Sequence, residues 1–592
     1  LYGARGANGV ILVTTKEGRE GRAKVSLRLE NSFSMPADMV DMADPITYMK
    51  LGNEAVIARN PLGVTPYSQS KIANTAKGTN PYMFPATDWY NELFSKVAVN
   101  QRGNISVSGG GQVARYYVAA AFSKDNGLLK VDKQNNFNNN IDLKKYSVRS
   151  NVNINLTKST ELAIKVQGNF DDYIGPLNGG DVIYSLAMKS NPVLFPKYYP
   201  KEGEYKDATH TLFGNYDNGL YMNPYAQMVK GYKEYSRTLI LAQGELKQQF
   251  DFITKGLSVK ANVSLSTYYS RISQTATNSN PTFYIDWNRY DAGDGNPWIY
   301  SAASEHVYEN TPYAVTRGAM QNNYYVTFYW EGALNYNRTF GDHTVTALAL
   351  FNQRENAKVV DFPYHSQGLV ARATYDYKHK YLFECNIGYT GSEQFSPKNR
   401  YGFFPSVAVG WVPSQERFWK QAMPWWSKMK IRYSDGLVGS DSAAERWLYY
   451  TSYVSDSSGN ITEDKSANLE AQWEEARKRD LGIEMGWLNN RLTLNLDLFD
   501  EKRTNMLVKP NVTMLVGTSY KEVNRGSMKK HGIDIELGWN DRTKSGFNYH
   551  LTALLSLNEN RITNYEDCLL YTSPSPTIRK WPAKPTWGRP AA

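Results

Sequence analysis

The sequence predicts an all-β protein, a transmembrane antiparallel β-barrel, on three observations. Apolar and polar residues alternate with a period of two in one segment after another, the mark of strands with one oily and one wet face. Very short turns alternate with long loops, as the two ends of a membrane barrel require and a soluble sandwich does not. No stretch approaches the roughly 18 consecutive apolar residues of a membrane-spanning helix, whereas a barrel strand needs only about 10 residues with every second one apolar.

Taken in order, the first wall strand, 24–34, sets Val25, Leu27, Leu29 and Phe33 against Lys24, Ser26, Arg28, Glu30 and Ser32. A long loop at 35–99 precedes strands at 100–108 and 115–124. Strand 146–157 alternates Val148, Val152, Ile154 and Leu156 with Arg149, Asn151, Asn153 and Asn155, then turns through Thr157 to Thr160 into 160–172. After a loop at 173–236 come 237–251 and 257–271; after another at 272–322 comes 323–339, which turns through Phe340 to Thr344 into 343–353. Strands 367–377 and 380–391 meet at Lys378 to Lys380. Strands 402–412 and 428–437 lead to residues 438–476, which must form one outer loop without a wall strand if the short-long order is to hold.

Strand 477–488 meets 491–503 at Asn489 and Asn490, a pair that tolerates the positive φ of a two-residue hairpin. Here the alternation is clearest, with Leu492, Leu494, Leu496 and Leu498 against Thr493, Asn495 and Asp497. A loop at 505–528 precedes 530–539 and 546–558, which turn through Asn540 to Gly546. The sum is about 17 wall strands. Barrels of this kind close with an even count, so further strands are expected beyond the C-terminal end.

Composition excludes several alternatives. Two cysteines, Cys385 and Cys568, and seven scattered His offer neither a disulfide framework nor metal-ligand spacing, so no metal or other cofactor is expected. The net charge of +10 is spread along the chain rather than gathered in a patch, which argues against nucleic acid. Glu470, Glu474, Glu475 and Asp480 read as a solvated cluster, not a catalytic pair, and no catalytic residue is expected. Asp291 to Asn296 lacks the full pattern of a calcium loop and reads as a turn.

At the start, Tyr2 to Gly18 (YGARGANGVILVTTKEG) places Gly3, Arg5, Gly6 and Gly9 ahead of the apolar run Val10 to Val13. It leads into a strand and has no GK[ST], so it is no phosphate loop. This segment resembles the closing strand of the plug domain in the SusC-like (SusC/RagA) branch of TonB-dependent outer-membrane transporters. Tyr377 to Phe418, Asp88 to Phe94, and the stretches NISVSGGG, RDLGIEMGWLNNRLTLNLDLFDEKRTNML and NRGSMKKHGIDIELGW follow the same family order.

The tail 566–592 abandons the alternation, is rich in Pro and, from Cys568, opens on CLLYTSPSP, which resembles a translated sequencing adapter, so it is expected to be non-native. The family resemblance implies a 22-stranded barrel around a plug, with residues 1–22 ending the plug and 23–565 forming a partial barrel. It implies uptake of an oligosaccharide or peptide, without covalent chemistry, in the outer membrane of a Gram-negative, Bacteroidota-like bacterium. The implied partners are a SusD-like lipoprotein at the extracellular face, the TonB complex at the periplasmic face, whose contact region is expected upstream of Leu1, and outer-membrane lipid. The other reading is a secreted or surface β-rich carbohydrate-binding protein. Candidate ligand or lid contacts are loop aromatics able to stack on sugar rings: Tyr198, Tyr199 and Tyr205 in one loop, Trp287, Tyr290, Trp298 and Tyr300 in another. Trp425 and Trp426 suit a membrane boundary.

Overall fold

The computed structural model describes residues 12–131, 137–208, 211–216, 220–277, 282–293, 300–302, 315–358, 361–443, 445–512, 515 and 517–565. The glycine motif of Gly3, Arg5, Gly6 and Gly9, the tail 566–592, Trp298 and the second half of Asp291 to Asn296 lie outside them.

Seventeen long strands form the wall among the described residues. They are β1 (Gly21–Ser34), β2 (Ala98–Gly110), β3 (Ala114–Asn126), β4 (Asp142–Asn155), β5 (Thr160–Pro176), β6 (Gly231–Gln249), β7 (Leu257–Thr277), β8 (Gln321–Phe340) and β9 (His343–Lys358). They continue with β10 (Asp361–Tyr377), β11 (Tyr381–Ser392), β12 (Tyr401–Trp411), β13 (Trp426–Ser440), β14 (Glu474–Trp487), β15 (Leu492–Val508), β16 (Val523–Arg542) and β17 (Asn548–Asn564). Each pairs antiparallel with its neighbours in sequence, and 438–476 adds no wall strand, only a small hairpin of 452–455 and 461–466. Among the described residues β1 pairs with β2 alone and β17 with β16 alone, so each is an open edge.

Register shows how the alternation is used. Between β11 and β12, Phe383 faces Val409, Ile387 faces Pro405 and Tyr389 faces Phe403, all exposed on one side. The partners on the other side are Glu384 with Ala408 and Asn386 with Ser406, all half-buried. The same inversion runs round the wall: Leu369, Val407, Leu498, Leu537 and Leu557 stay exposed while polar side chains occupy the opposite, inner face. Apolar rows that meet no protein partner are what a lipid-facing surface provides.

The buried apolar clusters lie chiefly in the loops at one end. Trp89, Leu93, Phe195, Phe213 and Tyr225 form the largest, and Met49, Tyr67, Ile72 and Val193 another. The loops also hold helices that period-two reading misses. α1 (Pro45–Arg59) starts at Asp44, whose carboxylate accepts the N–H groups of Ile46 and Thr47 at 3.0 and 3.1 Å, and α2 (Gln69–Lys77) ends at Gly78, whose φ of 61° suits a residue without Cβ.

Two details differ from the sequence expectation. The connection between β14 and β15 is not a two-residue turn: it spans 488–491, and Leu488, Asn489 and Asn490 all take positive φ (54°, 59° and 62°). Several strands also run further toward the long-loop end, β9 to Lys358 and β10 from Asp361. The sequence signal fades there because Gln353, Glu355, His365 and Gln367 stand where the outward face carries apolar side chains lower down.

Candidate functional site

The inner face is a continuous polar wall. Arg149 donates to Gln167 Oε1 at 2.6 Å, Ser147 to Asn169 at 2.7 Å and Gln243 to Asn262 at 3.0 Å. Lys260 bridges Glu245 and Glu331 at 3.2 and 3.3 Å, Arg372 pairs with Glu384 at 2.8 Å, and Arg432 with Asp480 at 2.6 Å. Because strand residues two apart share a face, these groups follow directly from the wet half of the alternation. A cavity lined by Arg28, Arg102, Lys145, Asp171 and Arg237 opens on this wall.

The segment before β1 lies along the same wall. Asn151 Nδ2 donates to the hydroxyl of Thr15 at 3.1 Å and to the Lys16 carbonyl at 2.7 Å, and Lys165 pairs with Glu17 at 2.9 Å. Gly18 is needed for this approach, since a Cβ there would stand 2.2 Å from the Tyr116 nitrogen.

At the long-loop end the candidate aromatics separate into two groups. Tyr199 and Tyr205 are buried, 3% and 6% exposed, against Leu212, Phe283 and Ile285, so they hold the loops together. Tyr198 is half-buried, with Lys197 Nζ 5.2 Å from its ring centroid and Tyr225 at 5.9 Å. Trp287 and Tyr290, by contrast, are exposed on one short helix, Trp287–Ala292, edge to face at 5.7 Å. Phe84, from the loop after β1, packs 6.3 Å from Trp287 and completes an aromatic corner that the sequence did not point to. Arg289 ties this helix to Glu204 at 3.0 Å. Tyr300 lies in a short strand, Tyr300–Ala302, that pairs antiparallel with Phe283 to Ile285, the strand leading into this helix, with Tyr300 opposite Ile285.

Lys71 on α2 is a second group found only in three dimensions. Its ammonium stands 5.9 Å from the Tyr67 ring and 6.0 Å from that of Tyr216, and burial pushes its pKa down to about 8. Burial pushes the Tyr67 hydroxyl upward. The acidic residues read from sequence do not converge: Glu474 is buried and accepts the Leu507 N–H at 2.8 Å, whereas Asp480 faces inward to Arg432. Among the described residues no group of three His, Cys, Asp or Glu could hold a metal ion.

The short-turn end carries indoles. Trp426 packs 4.9 Å from Trp419, 5.9 Å from Trp425 and 5.6 Å from Trp487. Amphipathic rings at the end of an apolar band form the girdle that bounds a barrel's hydrocarbon zone.

Comparison with known proteins agrees with this architecture. "TonB-dependent receptor P3" of Formosa agariphila is 25% identical over 619 residues, covering 96% of this chain and 54% of its own length. "TonB-dependent receptor SusC" of Bacteroides thetaiotaomicron is 23% identical over 597 residues, covering 95% and 55%. The chain thus spans about half the length of these curated relatives. The RagAB peptide importer in its closed-closed state shares the fold at a TM-score of 0.72 and 18% identity, over 95% of this chain and 64% of that one. The family model described as "TonB dependent receptor-like, beta-barrel" matches residues 191–589, from the loop before β6 through every later wall strand, and with the inside-out arrangement of apolar and polar rows it makes this chain a member of that family, one of receptors rather than enzymes.

Proposed function

We propose that this chain is the wall and outer-loop region of an importer that carries an oligosaccharide or a peptide across the outer membrane of a Gram-negative, Bacteroidota-like bacterium. The observation that carries the reading is the inversion of faces: exposed apolar rows outside, paired ions and amides inside. In this reading residues 1–22 close a plug domain, and the contacts of Asn151 and Lys165 with Thr15 to Glu17 fasten its last segment to the lumen. TonB acts from the short-turn side, and a SusD-like lipoprotein lids the long-loop side. The corner of Phe84, Trp287 and Tyr290 meets the cargo or the lid, as does the half-buried Tyr198.

The competing reading, a secreted carbohydrate-binding protein, requires the apolar strand faces to meet in a dry core. The buried clusters instead draw largely on loop residues, which favours the importer. The test is expression with export to an outer membrane: the importer reading expects extraction only with detergent and a heat-modifiable band on gels. Recovery in the soluble periplasmic or secreted fraction would sink it.

A further inference from the structure

Above the apolar band, the outward face of the last four strands carries a row of basic residues. Arg477 on β14 pairs in register with Lys502 on β15, Lys502 with Lys529 on β16, and Lys529 with Arg561 on β17. All four are exposed. Four residues lower on the same strands, and therefore on the same face, run Leu481, Leu498, Ile533 and Leu557, themselves in register. At about 3.3 Å per residue the basic row stands roughly 13 Å along the strands from the top apolar row.

Like charges directly across a strand pair repel, and three successive like-charged pairs are a cost that the sheet itself does not relieve. Arg477 is neutralised by Asp435, which it grips at 2.8 and 3.0 Å and which Arg479 also approaches at 3.3 Å. Among the described residues no carboxylate lies within ion-pair distance of Lys502, Lys529 or Arg561. The row between holds Asp500, His531 and Glu559, with His531 and Glu559 3.9 Å apart. A shallow groove of about 570 Å³ runs there, flanked by Leu498, Ile533 and Leu557 below and by Asp500, His531 and Glu559 above.

We infer that this face binds a lipid of the outer leaflet through a phosphorylated headgroup, the phosphates on Lys502, Lys529 and Arg561 and an acyl chain in the groove. The inference rests on the membrane reading above. Lysine and arginine at the headgroup level above hydrocarbon recognise anionic lipid by charge, and the continuity of groove and apolar band selects a lipid over a soluble anion.

The test compares the full chain with its K502Q/K529Q variant, both purified in a zwitterionic detergent. Each is titrated with diphosphoryl lipid A, with the same lipid stripped of phosphate, and with inorganic phosphate. Diphosphoryl lipid is expected to bind the variant about thirtyfold more weakly, the ratio that about 1 kcal/mol per basic residue gives for two lysines. The stripped lipid should bind both proteins alike and weakly, and inorganic phosphate should not compete. In lipid-free detergent the variant should unfold no earlier than the parent, because the change relieves repulsion. Equal affinity of the two proteins for the diphosphoryl lipid, or equal binding of stripped and phosphorylated lipid by the parent, overturns the inference; so does tight binding of inorganic phosphate alone. Failure of the membrane reading shows separately, as neither protein entering phosphatidylcholine vesicles.

Discussion

The guanidinium of Arg432 on β13 passes over Gly482 on β14 to reach the carboxylate of Asp497 on β15, so one side chain joins three strands of the inner wall. Gly482 is the register partner of both, and a Cβ there would stand 2.4 Å from Arg432 Cζ. Gly482→Ala should therefore displace the guanidinium and cost about 1 kcal/mol, at the low end for overpacking because the obstructed group is the mobile end of a long side chain. In an Arg432→Met background the same change should cost less, the close contact left being Asp497 Oδ1 at 2.7 Å. Thermal unfolding of the four proteins in detergent measures this coupling.

The two faces of β15 should respond oppositely to charge. Leu496→Arg, in the outward apolar row, is expected to cost about 2–4 kcal/mol near the bilayer midplane. Asn495→Arg, one residue away and facing Glu536 across the inner wall, should be nearly neutral. Urea unfolding in phospholipid vesicles distinguishes them, and equal costs would remove the basis for assigning lipid and lumen.

Burial holds Lys71 at a pKa of about 8, below its ordinary 10.5. The unfolded loop thus binds more protons between these values, and stability of the loop region should rise as pH climbs from about 8 to 10.5, then level off. Below 8 the lysine is charged in both states and contributes no slope. Limited proteolysis of residues 60–80 across pH 7 to 10.5 should slow with pH in the parent and be flat in Lys71→Met.

Leu488, 52% exposed, adopts φ 54°, a conformation that disfavours a branched side chain and suits Asn. Leu488→Asn should stabilise the β14–β15 hairpin by about 1 kcal/mol, seen as a higher unfolding temperature. Asn490→Val should lower it.

Among the loop aromatics, Trp287→Ala should weaken cargo or lid binding about five- to tenfold, in line with about 1–1.5 kcal/mol for an aromatic contact, with no change in unfolding temperature. Tyr205→Ala should instead destabilise the loops by about 3 kcal/mol through the cavity it leaves. Binding isotherms beside melting curves separate the two roles.

The wall was legible in sequence wherever the outward residues are apolar, as in Leu492 to Leu498, because lipid enforces a strict period of two. It became illegible above that band. Beyond Phe351 the outward residues turn polar at Gln353 and Glu355 while the backbone continues its ladder, so hydrogen bonding outlasts the hydrophobic signal. Loop aromatics defeat sequence reading for another reason: Tyr205 and Trp287 look alike in the chain, and only packing between distant loops buries the first and leaves the second at the surface. Phe84 reaches Trp287 through the same long-range packing, which no local pattern encodes.

The indoles of Trp419, Trp425, Trp426 and Trp487 gather at the short-turn end, close enough to exchange excitation energy. Read as the difference between the parent and a variant with these four indoles replaced by phenylalanine, their emission becomes a built-in optical gauge of insertion. Lipids brominated at successive depths should quench this group most strongly from one leaflet, reporting which way round each molecule sits without any attached dye.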